Sequence, residues 1–99
     1  HPGHEIAARQ MHGGFGGIVS VQLAAGAEAA KHFVDHTQIF TLAESLGGVE
    51  SLIEVPAAMT HASVAGTTLQ VPANLVRISV GIENADDLIA DLKQALDRI

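Results

Sequence analysis

The stretch LVRISV, residues 75–80, decides the fold class of this chain. Val76, Ile78 and Val80 alternate with Arg77 and a serine, which is the two-residue period of a strand with one buried face. The pattern therefore predicts a strand whose aliphatic side chains enter the core. It also predicts that Arg77 lies on the opposite face, flanked by apolar residues along the chain.

A helix is predicted directly after this strand, over the stretch that begins at Asn84. Asn84 suits the N-cap, and Asp86 and Asp87 fall in the first turn, where the helix dipole favours anions. The apolar residues that follow recur at helical spacing. They predict a buried stripe made of Leu88, Leu92, Ala95, Leu96 and Ile99.

The rest of the chain alternates short helices with short strands. Periodicity predicts helices over residues 5–11 and 26–36, strands over 18–23, 39–42 and 49–54, and a long surface connection over 57–74. Strands dispersed among helices favour an antiparallel sheet. The prediction for residues 1–99 is therefore a single α+β domain with an antiparallel sheet of about four strands, covered on one face by helices.

Composition narrows the classes of partner. The chain has 99 residues, 47% of them hydrophobic, and 11 acidic residues against five Lys plus Arg give a net charge of −6. This balance argues against nucleic acid and against an anionic membrane, which both need basic surfaces. No apolar stretch reaches the length of a membrane span. The chain has no Cys, which fits a cytoplasmic location and excludes thiolate metal sites.

Arg77 is the first candidate for a binding residue. A guanidinium on a rigid strand suits the bidentate capture of a carboxylate, because its planar fork matches two oxygens. The alternative from the residues alone is an ordinary surface arginine paired with an acid, which is the more common case.

The loop Glu44–Ser45–Leu46–Gly47–Gly48 is the second candidate, because loops between strands often carry function. Ser45 could offer its hydroxyl and backbone amide to an anion. The glycines would let a ligand approach the backbone closely. A plain turn remains the alternative.

Other motifs are weaker. The glycine-rich run at residues 13–17 matches no phosphate loop and leads into a strand, so it indicates a flexible connector. His32 and His36 have the spacing of a two-ligand metal face, but no further ligands accompany them, and no metal site is predicted. His61 is expected to pin its loop through a hydrogen bond.

Together these stretches resemble one known family. The residues that carry the resemblance are HPGHE (1–5), FGGIVS (15–20), FTLAESLGGVESL (40–52), MTHAS (59–63) and LVRISVGIE (75–83). They are similar to the small C-terminal domain of the pyridoxal-phosphate enzymes of the cystathionine synthase and lyase family. The opening at His1, without a Met, is accordingly interpreted as an internal point of a longer protein.

The resemblance implies roles for four residues. Arg77 is expected to bind the α-carboxylate of an amino-acid substrate, assisted by Ser45, and Glu44 to lie near the distal part of that substrate. Thr60 is a further, weaker candidate for the substrate site. No catalytic, cofactor-binding or metal-binding residue is expected in this chain.

The cofactor is expected elsewhere in the parent enzyme. Pyridoxal phosphate needs a lysine for its Schiff base, and the two lysines of this chain are Lys31 and Lys93. Both are predicted on solvated helix faces. The resemblance therefore implies an upstream cofactor-binding domain, a parent that is a homotetramer, and a chain that is inactive and binds no cofactor by itself.

Among the reactions of this family, the resemblance favours γ-replacement of an O-acyl-homoserine by cysteine, as in cystathionine γ-synthases. The short connection over residues 64–74 supports that choice. The alternatives are C–S cleavage of cystathionine by a γ-lyase, and a free-standing amino-acid-binding regulatory module.

Overall fold

The computed structural model describes residues 1–59 and 66–99. In chain order the elements are α1 His4–Gln10, β1 Ile18–Gln22, α2 Ala27–Asp35, β2 Thr41–Leu42, β3 Leu52–Glu54, α3 Pro56–Met59, β4 Leu75–Ser79 and α4 Ala85–Leu96. The predicted strands and long helices are present at these places, with bounds that differ by up to three residues. One helix, α3, was not predicted.

The four strands form one sheet in the order β1-β4-β3-β2. Strand β4 lies inside and pairs antiparallel with both β1 and β3, as expected. The prediction of a purely antiparallel sheet is wrong, however, because β2 and β3 are parallel. The connection over residues 43–51 returns the chain to the end of the sheet where β2 begins, so β3 runs in the same direction as β2 and the sheet is mixed.

The hydrophobic core lies on one face of this sheet, between the strands and the helices α2 and α4. The buried aliphatic and aromatic residues are Ala30, Phe33, Val34, Phe40, Ile53, Val55, Val76, Ile78, Leu88 and Ala95. Strands contribute alternate residues to this set, because successive side chains point to opposite faces. Helix α2 contacts β4 and also α4, so both helices share this core with the strands.

Helix α4 begins where the sequence predicts. The Asn84 side chain accepts a hydrogen bond from the backbone N–H of Asp87 at 3.1 Å, which caps the first turn. The predicted stripe is only partly correct. Leu88 and Ala95 are buried and Leu92 is half-buried, but Leu96 and Ile99 at the end of the chain are exposed.

Asp91 of α4 holds the turn that precedes β2. Its carboxylate accepts hydrogen bonds from the backbone N–H groups of Gln38, Ile39 and Phe40 at 2.7, 2.7 and 3.0 Å. Burial by itself raises the pKa of Asp91, but these donors and the Gln94 amide outweigh it and hold the pKa below its ordinary value. The turn is therefore joined to the helix by a buried ionised group.

A second polar cluster joins the chain after β4 to the chain before β3. The Glu83 carboxylate accepts the Ser51 backbone N–H at 2.9 Å and the Ser51 hydroxyl at 2.6 Å. The same hydroxyl accepts the Gly81 N–H at 2.8 Å. The hydroxyl and backbone N–H of Ser51 lower the pKa of Glu83.

Gly81 is packed too closely for any side chain. A Cβ at this residue would overlap the carbonyl oxygen of Val49 and come within 2.7 Å of Glu83 Oε1. The glycine therefore allows the two segments of the Ser51–Glu83 cluster to touch.

The N-terminal helix α1, unlike the closely packed segments around Gly81, has no buried residue. Ile6, Met11 and the following Phe15 leave 53%, 42% and 58% of their surface exposed. Their apolar side chains thus have little cover from this chain. Within the described residues, no helix is long and apolar enough to cross a bilayer.

The predicted long connection over residues 57–74 is partly replaced by the short helix α3. Pro56 begins this helix, which follows from its fixed φ and its missing N–H. Residues 60–65 lie outside the described part of the chain, so the expectations for Thr60 and His61 have no structural counterpart here.

Candidate functional site

The candidate site lies on the sheet face that the core helices leave open. Strand alternation puts Val76 and Ile78 of β4 in the core and turns Arg77 and Ser79 to the other face. In the antiparallel register, Glu54 of β3 is directly opposite Arg77. The predicted orientation of Arg77 is thus confirmed, and the pairing adds an acid beside it.

Arg77 and Glu54 form an ion pair across these two strands. Arg77 Nη2 lies 2.8 Å from Glu54 Oε1. The two side chains differ greatly in exposure, with 1% of Glu54 and 16% of Arg77 accessible. The carboxylate is therefore enclosed while part of the guanidinium still reaches the surface.

The loop over residues 43–48, called here the 43–48 loop, folds against the same face. The Glu44 carbonyl oxygen accepts a hydrogen bond from Arg77 Nη2 at 3.2 Å. The Ser79 hydroxyl accepts one from the Gly47 backbone N–H at 2.8 Å. Gly47 has a φ of 79°, a conformation that favours glycine. The loop is thus fastened at two points to strand β4.

The structure brings the two candidate elements, Arg77 and the 43–48 loop, into contact. The contact from Glu44 comes from its backbone carbonyl, and its side chain is exposed. Ser45 is also exposed, and it lines a surface depression of about 430 Å³ together with Gly48, Val49 and Leu52. A loop backbone next to a strand-borne guanidinium can present several N–H donors to an anion.

Two residues of this site were missed by the sequence analysis. Glu54 was placed at the end of the strand predicted over residues 49–54, and Ser79 was not assigned a role. An acid in the middle of the stretch LIEV (52–55) was the available signal, because a charged residue inside a buried strand requires a partner. Identifying Arg77 as that partner requires the strand register, which the sequence does not give.

The residues of this chain do not fit a pyridoxal-phosphate Schiff-base site. Lys31 pairs with Glu28 at 3.1 Å on the solvated side of α2, and Lys93 is exposed on α4. A cofactor lysine needs a desolvated pocket or an adjacent cation to lower its pKa, and neither lysine has such surroundings. We therefore derive no cofactor chemistry from these residues.

Metal binding has no support in the described residues, where no group of three or more His, Asp or Glu side chains is arranged to hold an ion. The His32 and His36 rings are 4.2 Å apart between centroids. His36 Nδ1 lies 2.7 Å from the His32 carbonyl oxygen, which gives that nitrogen a local structural partner. These histidines belong to the end of helix α2.

The fold and the site together describe an α/β domain with an arginine fixed on an inner strand and in contact with a loop that contains two adjacent glycines. The family model "Cys/Met metabolism PLP-dependent enzyme" matches residues 1–97. The chain belongs to this family, whose enzymes use pyridoxal phosphate.

Curated relatives agree with this assignment. The cystathionine gamma-synthase of Mycobacterium leprae is 65% identical over 97 residues, which are 98% of this chain and 25% of that protein. The cystathionine beta-lyase of Lactococcus lactis subsp. cremoris is 52% identical over 101 aligned residues, 99% of this chain and 26% of the relative. The chain thus spans about a quarter of the length of these relatives.

Solved structures also share the fold. The metB protein of Corynebacterium glutamicum superposes with a TM-score of 0.93 at 62% identity, covering 98% of this chain and 25% of that one. Yeast cystathionine gamma-lyase superposes with a TM-score of 0.85 at 48% identity. The match covers 99% of this chain and 26% of the yeast chain. The relatives therefore carry the names of three different cystathionine enzymes, a gamma-synthase, a beta-lyase and a gamma-lyase.

Proposed function

We propose that this chain is the C-terminal, substrate-recognising domain of a pyridoxal-phosphate-dependent trans-sulfuration enzyme. The observation that carries the proposal is the placement of Arg77 on the inner strand β4, ion-paired on one side and open on the other. Family membership supports the enzyme class. The position within the parent protein is part of the proposal, and so is the division into a cofactor domain and this single domain.

In this proposal Arg77 binds the α-carboxylate of the amino-acid substrate. Among the described residues, the acceptors around the guanidinium, Glu54 Oε1 and the Glu44 carbonyl, both lie at Nη2. Nε and Nη1 remain as donors for a ligand. A carboxylate that binds Nη1 can also replace the longer contact from Glu44 at Nη2 and so form a bidentate pair.

Ser45 and Glu44 complete the substrate site in this proposal. Ser45 is exposed on the 43–48 loop and offers a hydroxyl and an N–H near the sheet face. The exposed Glu44 side chain extends toward the distal part of a bound amino acid. Thr60, which is outside the described residues, keeps its place as a weaker candidate on the resemblance alone.

The rest of the parent protein is the proposed partner of this domain. The exposed apolar side chains of α1 and of Phe15 indicate a surface that another part of the protein covers. The Schiff-base lysine belongs to that other part, since Lys31 and Lys93 do not fit the role. A homotetramer of complete chains remains part of the proposal by family resemblance.

The reaction we propose is γ-replacement on an O-acyl-homoserine by cysteine. The relatives with the highest identity here, at 65–67%, carry the name cystathionine gamma-synthase. The alternative is cleavage of cystathionine, because relatives at 48–52% identity are named beta- or gamma-lyases. Product analysis of the purified intact protein, with an O-acyl-homoserine plus cysteine and with cystathionine alone, separates these reactions.

Substitution of Arg77 tests the substrate role directly. In the intact protein, Arg77→Ala should raise KM for the amino-acid substrate roughly 100-fold, since a charge-assisted pair contributes about 1.5–3 kcal/mol. Arg77→Lys should recover only part of this, because an ammonium cannot form the planar fork. The matched control is Arg98→Ala at the exposed end of the chain, which should leave KM unchanged. An unchanged KM in Arg77→Ala would disprove the assignment.

A further inference from the structure

We propose that Glu54 is a positioning residue, which fixes the Arg77 guanidinium in the orientation that binds the substrate carboxylate. This inference rests on the proposed role of Arg77 and extends it to a residue that contacts no substrate.

The register puts the two residues in direct opposition. Glu54 on β3 and Arg77 on β4 are Cα partners in an antiparallel pair, and side chains at such positions start only a few ångströms apart on the same face. Both backbones belong to the sheet, so neither end of the ion pair can drift with a loop. Glu54 therefore gives Arg77 a fixed reference point.

The two side chains of the ion pair differ in burial. Glu54 is enclosed at 1% exposure, whereas 16% of the Arg77 side chain is accessible. The carboxylate thus lies on the inner side of the guanidinium and has no route to the surface of its own. A ligand can approach only the outer side, where Arg77 still has donors to offer.

Both neighbours of the Arg77 guanidinium lie at the same nitrogen, Nη2. Glu54 Oε1 faces Nη2 at 2.8 Å, and the Glu44 carbonyl faces the same nitrogen at 3.2 Å. Both N–H bonds of Nη2 lie in the guanidinium plane, so two acceptors at this nitrogen restrict the orientation of the plane and with it the directions of Nε and Nη1. A flexible arginine ordered before binding loses less conformational entropy when the ligand arrives.

Stability alone is a weak reason for such a pair. Removing two charges from water is costly, and buried ion pairs can often be replaced by apolar side chains without loss of stability. The strand otherwise consists of aliphatic residues that would suit such a replacement. A role in presenting Arg77 gives this carboxylate a function that an apolar residue could not supply.

Three substitutions of Glu54 in the intact protein separate the effect of the carboxylate's position from the effect of its charge. Glu54→Gln keeps the length of the side chain and an oxygen acceptor but removes the charge. Glu54→Asp keeps the charge but draws the carboxylate back by about 1.5 Å, one carbon–carbon bond. Glu54→Met keeps a similar volume and removes the acceptor.

Positioning predicts a definite order of effects on KM for the amino-acid substrate. Glu54→Asp and Glu54→Met should each raise KM about tenfold, and Glu54→Gln only two- to threefold, within the usual range of coupling between contacting residues. The change should fall on KM much more than on kcat. An analogue of the substrate that lacks the α-carboxylate should bind all variants with the same affinity.

A double substitution adds a readout that a general structural role would not change. In an Arg77→Ala background, Glu54→Asp and Glu54→Met should have no further effect on KM, because the residue they position is gone. Circular dichroism and the melting temperature identify which variants are folded. Either Glu54→Asp or Glu54→Met is sufficient for the comparison with Glu54→Gln.

The outcomes distinguish this inference from the proposed function. If Arg77→Ala does not change KM, the proposed function fails and the inference fails with it. If Arg77→Ala raises KM but the three Glu54 variants leave it unchanged, only the inference is overturned. It is also overturned if Glu54→Gln is worse than Glu54→Asp, or if Glu54→Asp and Glu54→Met both fail to fold while Glu54→Gln folds, because the role would then be structural.

Discussion

Two buried carboxylates in this domain, Asp91 and Glu54, have different kinds of partner. Asp91 is 4% exposed, and three backbone N–H groups of one turn surround it. Glu54 is 1% exposed, and it faces a long arginine side chain that is itself partly accessible. The first group of donors is fixed by the backbone, and the second belongs to a side chain that can still bind something else.

This difference separates a structural carboxylate from one suited to function. Asp91 uses its oxygens on the backbone N–H groups of residues 38–40, so its effect is to hold α4 and the turn before β2 together. Arg77, which pairs with Glu54, keeps 16% of its side chain accessible. Burial alone therefore does not show whether an acid is structural or supports binding. The accessibility of the side chain or backbone that it pairs with separates the two roles.

The largest expected effect is the loss of the Asp91 contacts. Asp91→Ala should destabilise the domain by about 3 kcal/mol, because three backbone N–H groups, that of Phe40 in a buried contact, lose a charged acceptor. Amide hydrogen exchange of residues 38–40 in the intact protein, measured by mass spectrometry, should accelerate strongly. The control is Asp87→Ala on the exposed side of the same helix. KM should change little in Asp91→Ala variants that remain folded, and a large change in KM would remove the distinction between the two carboxylates.

Acid should weaken the Asp91 contacts. The pKa of Asp91 is lowered in the folded state, so its stabilising contribution is complete above the unfolded-state pKa of about 4. That contribution is lost as the pH falls through the lower folded-state value. Stability measured by thermal unfolding between pH 7 and pH 3 should therefore fall toward acid, and less steeply in Asp91→Asn. An equal slope in both proteins would contradict this.

Ser51 tests an intermediate case, since its partner Glu83 is only half-buried. Ser51→Ala should destabilise the domain by about 1.5 kcal/mol, because the hydroxyl both donates to Glu83 and accepts from Gly81. Urea denaturation monitored by hydrogen exchange of residues 49–51 and 81–83 checks this. Glu83→Gln, which keeps an acceptor, should lose less. A loss as large as that of Asp91→Ala would show that burial is unimportant here.

The smallest expected effect concerns the anchor of the 43–48 loop. Ser79→Ala removes the acceptor of the Gly47 N–H and should reduce local stability by about 1 kcal/mol, with a KM increase of a few-fold. Ser20→Ala is the matched control, because Ser20 lies on the same face opposite Arg77 in strand β1 and is exposed. Similar KM values for both variants would show that the loop needs no anchor to bind substrate.

Much of the fold was predictable from local pattern. The strand around Arg77, the Asn84 cap and the apolar side of α2 follow from periodicity and from side-chain chemistry near helix ends. The parallel pairing of β2 and β3 was not predictable. Strand β2 has only two residues, and its direction relative to β3 depends on the path of the loop that connects them. Helix α3 was missed because four residues give no periodicity.

The candidate site was predictable in part. Arg77 and the 43–48 loop were identified from their residue types and from the family resemblance. Glu54 and Asp91 were missed for the same reason, because each has its partner far away along the chain. Asp91 contacts residues that precede it by more than 50 positions, and Glu54 meets Arg77 only through the register of two strands.

The sequence by itself determined which segments form helices and strands, that the chain resembles a cystathionine enzyme, and that it lacks a suitable cofactor lysine. These properties depend on neighbouring residues, or on residue types alone. The tertiary structure decided the mixed sheet, the contact between the 43–48 loop and Arg77, and the partner of each buried acid. Such contacts depend on which distant segments pack together, and short-range periodicity carries no information about that.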